Sequence, residues 1–282
     1  MHAGCKRKKS GKQGFTDHGS NSKDLSTKII ERSVRVSALE SKNDRADKVL
    51  VALGHFESRA AAQAAIAAGK VLVNGRVLSK ASEKISLAAK IEAETAHPWV
   101  SRAGIKLAHA LTAFEVDPTG KPCLDIGAST GGFTDVLLTR CAASVVAVDV
   151  GREQLHARIK ADQRVTSLEG TDARHLKAEQ VGEPKLIVCD ASFISLSKLL
   201  HVPLSYAQQG AQFITLFKPQ FEVGRENIGK GGIVKDTNAV EQAEEAFVEW
   251  LAGEGWQVLA RIDSPITGGD GNAERLIHAR KK

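Results

Sequence analysis

The stretch CLDIGASTGGFTDVLL, residues 123–138, restricts the fold more than any other part of the chain. A short apolar run ends at Asp125 and passes through a glycine-rich turn, Gly127 to Gly132, into residues with helical periodicity. The runs KPCLDIG, ASVVAVDV, VTSLEG, KLIVCDAS and AQFITLFK share the apolar, β-branched character of buried strands, and segments of helix length separate them. Such alternation predicts an α/β unit, a parallel sheet with helices on both faces, with ligands bound at the carboxyl ends of its strands.

What flanks the turn narrows the ligand. A dinucleotide fingerprint wants G-x-G-x-x-G with no carboxylate in front of the pyrophosphate, whereas here the order is Asp125-Ile126-Gly127-Ala128-Ser129-Thr130-Gly131-Gly132. Glycines allow close approach to a ligand, and a helix start offers free N–H groups to a carboxylate. Asp125 can accept hydrogen bonds from an ammonium group, which points to S-adenosylmethionine. Asp149, ending the next strand, can hold both ribose hydroxyls in either cofactor class, and Asp172 in EGTDAR can reach the adenine amino group. The first two have plainer readings, a turn residue for Asp125 and a helix cap for Asp149, and Asp172 is the weakest of the three.

The N-terminal part has a different texture. Residues 1–44 are basic and polar, with Lys6, Arg7, Lys8 and Lys9 in succession, and read as a disordered tail despite weak helical spacing around Leu25 to Leu39. From Arg45 an amphipathic run reaches Leu53, Ser58 can cap a second helix ending near Gly69, and Asn74-Gly75 suits a tight hairpin within KVLVNGRVL. Residues 45–92 are thus expected to form a small α+β domain. Arg45, Lys48, Arg59, Lys70 and Arg76, with Asn74, would give it a phosphate-binding face. A net charge of +6 favours polyanions in general. The pattern R-x-D-x-x-L followed by S-R-x-x-A-x-x-x-I-x-x-G-x-V-x-V-N-G resembles the RNA-binding domain named after ribosomal protein S-four. Residues 93–104, with Pro98 and Trp99, read as a linker, and 105–282 as the larger domain.

Cys5, Cys123, Cys141 and Cys189 make no CxxC pair, so neither a metal site nor a disulfide framework is expected. No run reaches the length of a membrane helix and no secretion signal opens the chain, which makes the cytoplasm the expected compartment.

Asp190 and Lys218 stand at the ends of predicted strands, where an open sheet places its chemistry. With VSRAGIKL around Lys106 and GNAERLIH around Glu274, the chain from 45 to about 280 resembles the TlyA-type proteins, often labelled haemolysin A, and more distantly the FtsJ-type ribose methyltransferases. That resemblance implies a Rossmann-like methyltransferase with a Lys106–Asp190–Lys218–Glu274 tetrad, acting on a cytidine 2′-hydroxyl of ribosomal RNA in ribosomal subunits. His97-Pro98-Trp99-Val100 replaces the Arg-x-Trp-Val of some relatives, a departure that bears on domain coupling. A ribose hydroxyl must be held in line and relieved of its proton, and lysine can take that proton only when neutral. Lys218 is the expected base, with Lys106 nearby lowering its proton affinity while Asp190 and Glu274 raise it and orient it. The stretch PQFEVGRENIGKGGIVKD, carrying Arg225, Lys230 and Lys235, reads as a mobile loop that could close over RNA.

Rival readings are an RNA-binding assembly factor without catalysis and a haemolysin, which would need a membrane element. A base methyltransferase acting on exocyclic amines would carry prolines where Asp190-Ala191-Ser192-Phe193 has none. The sequence leaves the modified nucleotide and the oligomeric state open.

Overall fold

The computed structural model describes residues 43–282, so the basic segment expected over 1–44 lies, up to residue 42, outside the described residues. The chain divides into two compact units, the second beginning at His97.

In the first unit, β1 (Asn43–Arg45), α1 (Ala46–Ala52), α2 (Arg59–Ala67), β2 (Val71–Val73), β3 (Arg76–Val77), β4 (Lys84–Ser86) and β5 (Ile91–Ala93) follow in order. The Ser58 hydroxyl accepts from the Ala61 amide at 3.2 Å and opens α2. Asn74 and Gly75 both take positive φ, 51° and 78°, and turn β2 into β3 with Val73 opposite Arg76. Helix, helix and hairpin thus appear where expected. The sequence pattern did not reveal β1 pairing with β4, or β5 closing a three-stranded sheet beside β2. Leu50, Ala62, Ala65, Val71 and Leu78 are sealed in the core between these elements.

The second unit comprises α3 (Ala103–Ala113), β6 (Pro122–Ile126), α4 (Gly132–Thr139), β7 (Ser144–Asp149), α5 (Ala157–Lys160), β8 (Val165–Glu169), α6 (Ala178–Val181), β9 (Leu186–Cys189), α7 (Leu196–Ser205), β10 (Gln212–Phe217), α8 (Pro219–Glu222), α9 (Thr237–Gly253), β11 (Trp256–Asp263) and β12 (Arg275–Lys281). They build a seven-stranded sheet in the order β11-β12-β10-β9-β6-β7-β8. Strands β6 to β10 pair in parallel, as expected. The expected parallel sheet is thus completed by two strands the sequence reading did not include, β12 and β11, which add an antiparallel ribbon beyond β10. A mixed sheet is common where an antiparallel pair finishes a parallel one.

Strand residues alternate between two cores. Leu124, Ile187, Phe213 and Phe217 join Leu200, Phe247 and Leu251 of α7 and α9 on one face. Cys123, Leu186, Val188 and Ile214 join Leu107, Phe133 and Val136 of α3 and α4 on the other. Burial on both faces is why these strands read as unbroken apolar runs. Order reverses at β6, whose neighbours are β7 and β9, so the carboxyl ends of β6, β7 and β9 open a crevice.

Candidate active site

Strand β6 delivers Asp125 to the base of that crevice, fully buried. One carboxylate oxygen accepts from the Thr134 hydroxyl of α4 at 2.6 Å, and the other, Oδ1, has no hydrogen-bond partner among the described residues. Burial, aided by the charges of Asp190 and Asp149 and opposed by Thr134, pushes this carboxyl up to about 7. A buried acceptor without a donor is what an ammonium group would satisfy.

At the end of β7, Asp149 accepts from the Ser129 amide at 2.8 Å and from the Gly151 amide at 2.7 Å. It pins the glycine-rich turn to the next strand while lining a cavity of about 430 Å³ with Val150, Gly151, Thr171, Ala173, Ile194 and Leu199. Largely apolar walls, with the Asp149 carboxylate on one side and Asp190 at the border, suit a nucleoside. Asp172 is not among the lining residues: it caps the turn at Arg174, and its carboxylate pairs with that guanidinium at 2.6 Å, holding the acid down to about 2. The expectation that Asp172 reaches the adenine amino group is therefore not met by this arrangement, in which its carboxylate is taken up by Arg174.

The glycines of the turn are required by protein neighbours. A Cβ on Gly127, whose φ is +78°, would stand 3.0 Å from the backbone of Ala191. One on Gly132 would collide with the Ser101 hydroxyl and lie 3.0 Å from the Ala103 Cβ. The expectation that these glycines serve only approach to a ligand is therefore widened, since Gly132 lets α4 seat against the start of α3. Ala128 and Thr130 line the adjoining cavity described next, and Gly131, at φ 92°, caps α4.

That cavity, of about 310 Å³, is lined by Arg102, Lys106, Asp190, Ser192 and Lys218 and shares Gly127, Ser129, Asp190 and Ser192 with the first. Lys106, on α3, pairs with Glu274, just before β12, at 2.5 Å. Lys218, after β10, pairs with Asp190, after β9, at 2.6 Å and donates to the Ser192 hydroxyl at 2.8 Å. All four sequence-predicted tetrad residues thus reach one place, from segments up to 168 residues apart. Each lysine is paired with its own carboxylate, as two buried cations require, while both line the one cavity. Burial pushes the Glu274 carboxyl above its ordinary range, and Lys106 first, then the Lys218 charge, pull it back. A buried quartet of charges costs stability, and here it stands at the crevice where an open sheet binds its ligands. Ser192 escaped the sequence reading; its signal was its place two residues past Asp190.

Trp99 and Val100, expected in a linker, belong to this unit. The Val100 amide donates to Asp135 of α4 at 2.9 Å, and Trp99 lies so close over Gly104 that a Cβ there would meet its Cβ at 2.5 Å. The 219–236 stretch is folded rather than an open loop, with α8, short 3-10 turns at Arg225–Asn227 and Lys230–Gly232, and an Ile228–Val234 bridge.

On the first unit, the expected basic face is more neutral than its sequence suggested. Arg45 and Arg59 both clasp Asp47, which is sealed from solvent, at 3.0 and 2.7 Å. Lys48 meets Asp44, Lys70 meets Glu94 and Arg76 meets Glu83. All five cations stay substantially exposed, and exposed pairs are weak enough for phosphates to exchange into them. Asn74 accepts from the Lys90 amide at 2.9 Å, which makes it a turn residue in this structure.

Residues 99–281 match the FtsJ-like methyltransferase family and residues 44–91 the S4 domain. The chain is 41% identical to the 16S/23S rRNA (cytidine-2'-O)-methyltransferase TlyA of Mycobacterium tuberculosis, over 84% of this chain and 89% of that one. It is 39% identical to Hemolysin A of Brachyspira hyodysenteriae, over 83% of this chain and 98% of that one. A solved structure of a hemolysin candidate from Streptococcus thermophilus superposes with a TM-score of 0.68 at 38% identity, over 85% of this chain and 89% of that one. Among the described residues no helix is long and apolar enough to cross a membrane, and no group of three or more His, Cys, Asp or Glu could hold a metal ion. By sequence, by fold and by the residues gathered at its crevice, the chain belongs to the TlyA family, in which an S4 domain precedes an FtsJ-like methyltransferase domain.

Proposed function

We propose that the protein methylates a ribose 2′-hydroxyl of ribosomal RNA, a cytidine as in the named relatives, using S-adenosylmethionine and working in the cytoplasm on ribosomal subunits. The observation that carries this reading is the meeting of Lys106, Asp190, Lys218 and Glu274 beside a nucleoside-sized cavity. S-adenosylmethionine supplies a methyl group on a positively charged sulfur. Asp125 Oδ1 would take its ammonium, Asp149 its ribose hydroxyls, and Val150, Ala173 and Leu199 its base.

The 2′-hydroxyl needs a proton acceptor as it attacks. Nζ of Lys218, held by Asp190 and Ser192, is that acceptor in the state where it is neutral, and Asp190 steadies the ammonium formed. Lys106, fixed by Glu274, balances negative charge gathering on the ribose oxygen. The S4 domain contributes RNA affinity through Arg45, Arg59 and their neighbours. The test is incorporation of labelled methyl from S-adenosylmethionine into purified ribosomal subunits. Incorporation is expected with the native chain, and its absence under conditions where the cofactor binds would favour an RNA-binding assembly role.

A further inference from the structure

Glu274 is held by more than its lysine. The segment before it, Gly268 to Ala273, folds into a tight loop in which the Gly268 amide donates to the Asn272 carbonyl at 2.9 Å. A Cβ on Gly268 would fall 2.8 Å from the Glu274 carboxylate, so the acid occupies the space that a side chain there would take. Asn272 is 3% exposed. Its side-chain amide donates to the Gly232 carbonyl and accepts from the Val234 amide, both at 2.9 Å. These are the bonds that a neighbouring strand would supply, and losing them would take a partner from the partly buried Gly232 carbonyl and Val234 amide. The same loop is tied to the other ion pair, because Gln220, two residues past Lys218, donates to Asp270 at 3.0 Å.

The segment that Asn272 grips is the small turn closed by the Ile228–Val234 bridge, which presents Lys230 to solvent, with Arg225 and Lys235 exposed on its flanks. We propose that Asn272 is a positioning residue that couples this cationic segment to the Lys106–Glu274 pair, so that RNA phosphates engaging Arg225, Lys230 and Lys235 set the geometry of Glu274. The inference rests on the RNA methyltransferase reading. Asn272 touches no reacting atom and acts through Glu274.

The experiment uses the full chain with ribosomal subunits, comparing Asn272→Ala, Asn272→Asp, a Lys230→Ala/Lys235→Ala double variant and their combination. Asn272→Ala is expected to lower kcat about tenfold at saturating subunits, as loss of preorganisation does, with cofactor affinity unchanged and Tm lowered by a few degrees through the two lost bonds. Asn272→Asp, which keeps the acceptor for Val234 but not the donor for Gly232, should fall between. The lysine substitutions should lower kcat in the native background and add nothing to Asn272→Ala, since a broken coupling cannot be broken twice. Hydrogen exchange supplies a readout apart from turnover: RNA should protect residues 225–235 and 268–274 in the native chain, but only 225–235 in Asn272→Ala. Native kcat in Asn272→Ala, additive effects in the combination, or a loss of cofactor affinity alongside kcat would each overturn the coupling. A native chain that shows the expected exchange pattern without methylating RNA would instead count against the methyltransferase reading alone.

Discussion

Asp190 and Lys218 meet at 2.6 Å because they follow neighbouring parallel strands in register, with Cys189 of β9 opposite Thr215 of β10. The sheet itself therefore builds half of the tetrad. The other half, Lys106 with Glu274, is assembled across the molecule by α3 and the strand added beyond β10. Two rigid parts converge on one cavity, which is the arrangement that a reaction dependent on orientation requires.

Removing Lys218, the proposed proton acceptor, should stop the chemistry and spare the cofactor. Lys218→Ala is expected to lower methyl transfer by about 10²- to 10⁴-fold while S-adenosylmethionine binds as before, measured by single-turnover transfer and calorimetric titration. Undiminished turnover would remove Lys218 from its role.

Asp125 predicts a linked dependence of stability and binding on pH. Its folded carboxyl, pushed up to about 7, stays protonated where the unfolded one ionises. From about pH 3.9 to about 7 the folded chain thus holds more protons, and stability from this group falls as pH rises through that window. Asp125→Asn should remove that decline in thermal melts of the ligand-free protein. Cofactor affinity, which needs the ionised acid facing an ammonium, should rise through the same region in the native chain. In the variant it should be weaker by roughly ten- to a hundredfold and lose that pH dependence.

Gly132→Ala tests the contact between α4 and the start of α3. The added methyl meets Ser101, Ala103 and the Gly104 amide, and overpacking of this kind costs about 1–3 kcal/mol. The expected result is a lower Tm together with reduced turnover, since α3 carries Lys106. Native melting and activity would show that the helix start yields at no cost.

In the S4 domain, Arg59→Ala should weaken RNA binding and reduce its salt slope by about 1, measured by titrations at several ionic strengths. Turnover at saturating RNA should hold. An unchanged slope would indicate that Arg59 serves Asp47 alone.

Much of this site was legible because each feature follows a local rule. The strand ending at Asp125, the glycine turn and the acid at Asp149 lie within one stretch of chain, and Asn74-Gly75 fixes its hairpin by backbone preference alone. What stayed hidden depended on partners far apart. Glu94 neutralises Lys70 and Glu83 neutralises Arg76 only once the first unit folds, so the basic face looked stronger in sequence. Strand β12, with His278 and its arginines, lacks the apolar run of β9, although its centre is buried and His278 bonds Gln212 at 2.6 Å. Edge strand β11 alternates exposed and half-buried residues after Trp256 and so lacks the unbroken apolar run that marks the inner strands. The glycine requirement at Gly132 came from Ser101 and Ala103, which precede it by about thirty residues and announce nothing locally.

The most direct test is to label ribosomal subunits with methyl from S-adenosylmethionine, digest the RNA to nucleosides and find where the label sits. The account predicts a 2′-O-methylated nucleoside, cytidine in the first instance, present with the native chain and absent with Lys218→Ala. Label on a base, or transfer undiminished by that substitution, would contradict it.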